Sequence, residues 1–192
     1  MKIIEHKVHL DKKEYTLELM DFDSKDKIKL KKAFEAWRDL KIKLGELGAR
    51  GANLPEGISE IAFCLFSGSK RFYSMKLNKG KKKASASFDT FNIKTDRTEQ
   101  IKACSVEGDL TSFGPKSEWD DLYFLDFYRD GKIDGSFDVY KIDTKLIYSV
   151  KVNANQLFGD QKDEKRRPRF SIKKEIIEKQ KLKPIAKNVI VW

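Results

Sequence analysis

The sequence predicts an α/β fold with one mixed central β-sheet flanked by helices. Three observations point there. Short runs with period-two alternation are interleaved with stripes whose apolar residues recur at steps of three and four. The run Leu122–Tyr128 is almost continuously apolar, as in a strand covered on both faces. The chain has 192 residues, with 13 Phe, 6 Tyr and 3 Trp, enough bulk for the core of one domain.

The elements follow in order. Residues 2–22 alternate loosely, with Ile4, Val8, Leu10, Tyr15, Leu17 and Leu19 as the apolar set. They predict a hairpin turning near Asp11-Lys12-Lys13. Ser24 caps a helix to about Leu47, whose packing stripe is Leu30, Phe34, Trp37, Leu40, Leu44 and Leu47. A second helix starts at Asn53-Leu54-Pro55-Glu56, with Asn53 as cap, Pro55 in the first turn and Glu56 closing a capping box. It reaches about Phe66 and buries Ile58, Ile61, Ala62 and Leu65. Phe72–Leu77 is a strand, and Phe88–Ser105 is a hairpin turning at Lys94-Thr95-Asp96-Arg97. Glu107–Pro115 is an ordered loop. Arg129-Asp130-Gly131-Lys132 turns the Leu122–Tyr128 strand back into Ser136–Ile142. Residues 145–158 read as a helix. Ser171 caps a last helix to about Lys183, and Val189–Trp192 adds an edge strand or meets a partner subunit.

Composition narrows the function. Charged residues are 36% of the chain and the net charge is +10. That excess favours a polyanionic partner, nucleic acid first, over a merely soluble basic protein. Cys64 and Cys104 have neither zinc nor disulfide spacing and read as small buried residues of a reducing, cytoplasmic protein. The first residues lack the apolar core of a signal peptide, and no run approaches the roughly 18 apolar residues that span a bilayer.

The chemistry gathers in the central hairpin. Side chains alternate along a strand, so Gln100 and Lys102 share one face while Glu99, Ile101 and Ala103 take the other. Closing the hairpin brings Asp89 to the same spot. A carboxylate, an amide oxygen and an ammonium together suit metal-assisted phosphodiester hydrolysis: the oxygens hold a divalent cation and the lysine serves water and phosphate. Glutamine ligates Mg²⁺ less strongly than a carboxylate, and Glu60, four residues from Glu56 on the second helix, can supply the missing charge or be a surface glutamate. Asp109 is a reserve ligand or a turn cap. Asp126 and Asp138 pair across the later hairpin as a rival acidic centre, without a lysine two residues beyond Asp126.

For DNA contact the strongest segment is Gln161–Ser171, in which Arg166, Arg167 and Arg169 flank Pro168. Arginine bonds guanine O6 and N7 in bidentate fashion and also grips phosphate. Lys81, Lys82 and Lys83 form a basic loop that clamps the backbone or is solvated, and Ser112 and Ser171 are further contact candidates.

The arrangement of Asp89 and Gln100-x-Lys102 resembles the PD-(D/E)xK nuclease superfamily, with Gln where Glu or Asp is usual. A longer resemblance rests on Arg50–Glu60, Gln100–Ala103, Asp109–Pro115, Asp134-Gly135-Ser136-Phe137-Asp138 and Arg166–Ser171. These segments, spanning about residues 45–172, resemble the short type II restriction endonucleases that cut GCNGC-type sites. The resemblance implies a restriction-endonuclease-like core over 1–192: a strand and helix region at 1–48, a catalytic core at 49–142 and a basic DNA-contacting region at 143–192. It further implies Mg²⁺ (with Mn²⁺ as substitute), Asp89, Gln100 and Glu60 as ligands, Lys102 as catalytic residue and a helix glutamate's role for Glu60. Double-stranded DNA, a homodimer on a symmetric target and a methyltransferase of the same system are the implied partners. The alternatives are a structure-selective repair or recombination nuclease, and a DNA-binding protein that has lost cleavage.

Overall fold

The computed structural model describes the chain outside residues 11–12, 78–82 and 85–86, and the side chains of Leu77, Lys83, Ala84 and Asp130 are likewise left undescribed. The expected clamp lysines Lys81 and Lys82 therefore lie outside the described residues, as does the side chain of Lys83.

The mixed sheet is present. β1 (Lys2–Leu10) and β2 (Lys13–Asp21) form the N-terminal hairpin, paired from Lys2↔Asp21 to Leu10↔Lys13. β3 (Lys70–Leu77) lies beside β2 and also pairs with the short β4 (Lys83–Ala84). β5 (Thr90–Asn92) and β6 (Arg97–Cys104) form the central hairpin. β7 (Thr111–Ser112) leaves the sheet, and β8 (Asp121–Asp126) returns to lie parallel to β6. β9 (Phe137–Ile142) and the last strand, β11 (Ala186–Val189), complete the order β1-β2-β3-β5-β6-β8-β9-β11. The C-terminal segment adds an edge strand, antiparallel to β9, but at Ala186–Val189 and not over the expected Val189–Trp192, of which only Val189 lies in it. β10 (Arg169–Phe170) pairs instead with β7 in a separate two-stranded sheet.

Both faces of the sheet are covered. On one, α1 (Ser24–Glu46) and α2 (Glu56–Ser67) pack Leu30, Phe34, Trp37, Ala62 and Phe63 against Ile101, Leu125, Phe137 and Val139. On the other, Cys104, Leu122 and Phe124 meet Phe113, Phe158, Phe170 and Ile176. The N-terminal hairpin closes over Met75, Phe88 and Phe91.

Several expectations are corrected. α1 is capped by Asp23, one residue before Ser24: its carboxylate accepts the Lys25 N–H at 2.8 Å, and Asp26 returns a bond to the Asp23 N–H. Two adjacent residues could cap, and the one with extended backbone does so. The packing stripe stops at Trp37; Leu40 and Leu47 are 51% and 81% exposed because the last turns run past the core. Asn53 does not cap α2. Pro55 takes the cap position without a side-chain bond, and the Asn53 carbonyl accepts the Trp37 indole N–H at 2.9 Å. Of the helix expected over 145–158 only the first turn forms, as α3 (Thr144–Tyr148); α4 (Phe158–Asp163) begins where that span ends. Between them Asn153 Oδ1 accepts the Asn155 N–H, a local bond that competes with helix. The last helix is a π-helical segment, Lys173–Glu178, much shorter than the span to Lys183.

Candidate active site

Asn92 sets the turn of the central hairpin. Its Oδ1 accepts the N–H groups of Lys94 and Thr95, and Asp96 adopts a left-handed φ of 54°. This fixes the register Thr90↔Glu99. Asp89 then sits one residue before β5, with its backbone held from both sides. Its N–H donates to the Glu99 carbonyl at 3.0 Å, and its carbonyl accepts the Phe72 N–H at 2.9 Å.

The predicted trio comes together. The Asp89 carboxylate Oδ2 accepts the Ile101 N–H at 2.8 Å and a bond from the Gln100 side-chain amide. Gln100 is 3% exposed, and its buried Oε1 has no hydrogen-bond partner among the described residues. Burial pushes the Asp89 carboxyl up to about 6; the Lys102 ammonium and the Ile101 N–H pull it down, while Glu60 and Glu56 push it further up. Lys102 stands 5.5 Å from the Phe113 ring centroid. On the opposite face Glu99 faces away, as expected, and its buried carboxylate accepts from Ser69, Thr90 and Asn92.

Glu60 is not a surface residue. It is 7% exposed and its carboxylate pairs with the Arg71 guanidinium from β3. Arg71 is the functional candidate that the sequence did not reveal. It precedes the expected strand by one residue, and no spacing ties it to Glu60, because strand pairing with Thr90 brings it there. Asp109 acts electrostatically on Lys41 and Cys104. The rival pair Asp126↔Asp138 does face across β8 and β9, but Asp126 is taken by the Lys173 ammonium at 2.6 Å and the Tyr128 N–H at 2.9 Å.

The two DNA-contact segments meet. Ser112 pairs with Arg169, and the Phe113 N–H donates to the Pro168 carbonyl at 3.1 Å. Phe113 stacks on Phe170 at 5.6 Å, so the ring beside Lys102 also seats the arginine strand. Arg166, Arg167 and Arg169 are all exposed, and Arg166 also pairs at the surface with Glu164 at 3.0 Å. Ser171 is 6% exposed, and its hydroxyl accepts the Lys174 N–H at 3.3 Å, so it braces the start of the π-helical segment, in keeping with its expected cap role. A groove of about 1120 Å³, lined in part by Phe88, Trp119 and Lys162, runs beside this region and includes none of Asp89, Gln100 or Lys102.

A family model described as Bsp6I restriction endonuclease matches residues 22–179. The chain belongs to the Bsp6I restriction endonuclease family. It is also 35% identical over 175 residues to the type II restriction enzyme Bsp6I of Bacillus sp. (strain RFL6), covering 88% of this chain and 92% of that enzyme. No solved structure matches the chain. Membership in the Bsp6I family makes the chain a site-specific deoxyribonuclease, and the mixed α/β architecture agrees with a restriction-endonuclease fold. It favours the enzyme over the non-cleaving alternative. Among the described residues no helix is long and apolar enough to cross a membrane.

Proposed function

We propose that this restriction endonuclease hydrolyses double-stranded DNA at a short GC-containing palindrome of GCNGC type, with a divalent cation, Mg²⁺ or Mn²⁺, at a PD-(D/E)xK-like site. The observation that carries the reading is the Gln100 Oε1, buried and without a partner among the described residues, beside a carboxylate whose affinity for protons burial has raised. An orphaned acceptor next to an aspartate is a donor set in want of a cation. Among the described residues no three His, Cys, Asp or Glu cluster around a metal position. Mg²⁺ nevertheless needs only one or two protein oxygens, the rest being water and phosphate. Asp89 and Gln100 fit that demand, with Glu60 near enough to contribute charge.

When bound, the cation supplies Lewis acidity and lowers the pKa of a water. The residues do the rest. Asp89 in its ionised form and the Gln100 carbonyl fix the position. The Lys102 ammonium donates to a phosphate oxygen as charge develops there, orients the attacking water and offsets the negative charge of the transition state. Arg167 and Arg169 are the side chains free to meet the duplex, with Ser112 at the same strand pair. Either arginine suits guanine in the major groove. A symmetric target implies two copies related by a two-fold axis, each cutting one strand. A methyltransferase of the same specificity then protects the host, and the enzyme works in the cytoplasm. The division into residues 1–48, 49–142 and 143–192 follows this assignment, with the metal site in the middle part and the arginines in the last.

The test is incubation of the purified protein with unmethylated plasmid, with Mg²⁺ and with chelator, followed by sequencing of the ends. Discrete Mg²⁺-dependent fragments ending within one GC-rich palindrome support the reading. Cleavage that persists in chelator, or ends scattered without sequence preference, contradicts it.

A further inference from the structure

Arg71 lies on the strand that clasps Asp89. Its register partner is Thr90, and the next residue, Phe72, donates its N–H to the Asp89 carbonyl. Its guanidinium Nε is engaged by Glu60. On its other side Nη1 finds the Met20 sulfur at 3.7 Å, a weak acceptor. The Arg71 side chain is 30% exposed while that of Glu60 is 9% exposed, so the guanidinium reaches the surface from a buried carboxylate. Among the described residues, Glu60 and Glu56 push the Asp89 carboxyl up against the pull of Lys102, and Arg71 is the cation paired with Glu60.

We propose that Arg71 is a resident counter-cation. In the DNA-free enzyme it occupies Glu60 and keeps that carboxylate from the divalent cation. On DNA it turns its fork of N–H donors to a backbone phosphate and releases Glu60 to the metal site. Guanidinium suits both partners, because carboxylate and phosphate offer the same bidentate geometry. The exchange couples the ligands: DNA strengthens metal binding, and by linkage metal strengthens DNA binding by the same factor. Arg71 is thus a positioning residue for Glu60 that ties metal loading to DNA contact. The inference rests on the proposed metal site at Asp89.

The experiment is calorimetric titration of Mn²⁺ into DNA-free protein at pH 8, for the wild type, Arg71→Gln, Arg71→Gln/Glu60→Gln and Asp89→Asn. Arg71→Gln should bind Mn²⁺ at least about tenfold more tightly than wild type, since one positive charge leaves and Glu60 is freed. Equal or weaker binding by a folded Arg71→Gln overturns the proposal. If that variant fails to fold, the double variant, a neutral pair, decides. It should bind Mn²⁺ as wild type does. Weaker binding would mean that Glu60 already serves the metal despite Arg71, against the proposal. In the Lys102→Ala background, a short unmethylated GCAGC duplex should tighten Mn²⁺ binding, and adding Arg71→Gln should cut that gain to the share the phosphate ligand supplies by itself; a gain of undiminished size overturns the exchange. Asp89→Asn separates the two levels. Mn²⁺ binding indifferent to Asp89 refutes the metal site and the counter-cation with it. Binding that depends on Asp89 but not on Arg71 refutes the counter-cation alone.

Discussion

Asp89 occupies a place where a carboxylate is costly. Burial raises its pKa to about 6 from an ordinary 3.8, and Lys102 recovers only part of the cost. The sign of the consequence is fixed. A group whose folded pKa is raised contributes stability that is complete below about pH 4 and is lost as pH rises through about 6. Asp89→Asn, which keeps an acceptor for the Ile101 N–H, should therefore unfold at higher denaturant than wild type at pH 8. The gain is on the order of 3 kcal/mol, at about 1.4 kcal/mol per pKa unit. It should shrink toward zero below pH 4. Urea melts at both pH values check this, and a variant no more stable at pH 8 would contradict the burial cost.

The trio of Asp89, Gln100 and Lys102 was readable because it depends on short-range geometry. The two-residue offset of Gln100 and Lys102 follows from the pleat of any strand, and a hairpin brings Asp89 to it. Arg71 and the burial of Glu60 were not readable, because α2 and β3 meet the hairpin through pairings far apart in sequence. The orphaned Gln100 oxygen likewise belongs to packing, which one sequence does not display.

Among the elements, the β7–β10 pair carries the proposed link from the hairpin site to DNA recognition. Phe113 lies between Lys102, Phe158 and Phe170, and its neighbour Ser112 faces Arg169. Arg169→Ala should relax discrimination at one G·C position by about 1–3 kcal/mol while leaving the fold intact. Cleavage of a library of single-mismatch duplexes measures it, and an unchanged profile would remove Arg169 from base reading. The π-helical segment behind this pair is pinned by Lys173 on the buried Asp126. Lys173→Met leaves that carboxylate uncompensated and should cost about 3 kcal/mol by chemical denaturation; a loss below roughly 1 kcal/mol would show the pin to be dispensable.

Element boundaries were less legible than element types. Most strands and the first two helices stand where periodicity put them, but caps shifted by a residue or two and the last strand begins three residues before the expected Val189–Trp192. Asp23 and Ser24 are equally plausible caps on paper, and local backbone chose between them. Residues 145–158 failed as one helix because Asn153 bonds its own neighbours. The stripe on α1 was sound as a helix signal, yet periodicity does not say where the partner surface ends, and the exposure of Leu40 and Leu47 marks that end.

At the scale of the whole molecule, a net charge of +10 on a covered sheet gives a general attraction to DNA that the arginine strand turns to a defined surface. Arg167→Ala should weaken binding evenly across sequences. It should also make the plot of log affinity against log salt shallower by about 0.9, the share of a single neutralised phosphate. Fluorescence anisotropy over a range of salt concentrations provides the slope, and an unaltered slope would take Arg167 off the backbone. Family membership establishes what class of enzyme this is, and the proposed hairpin site accounts for how the chain performs the reaction.

The most direct test of that site is the single-turnover cleavage rate of Lys102→Ala on a saturating unmethylated duplex with Mg²⁺, beside its DNA affinity in chelator. The expected rate is at least about 100-fold below wild type with affinity preserved within roughly threefold, because Lys102 acts on the developing charge and not on the fold. A variant that cuts at the wild-type rate would move the catalytic centre away from Asp89, Gln100 and Lys102.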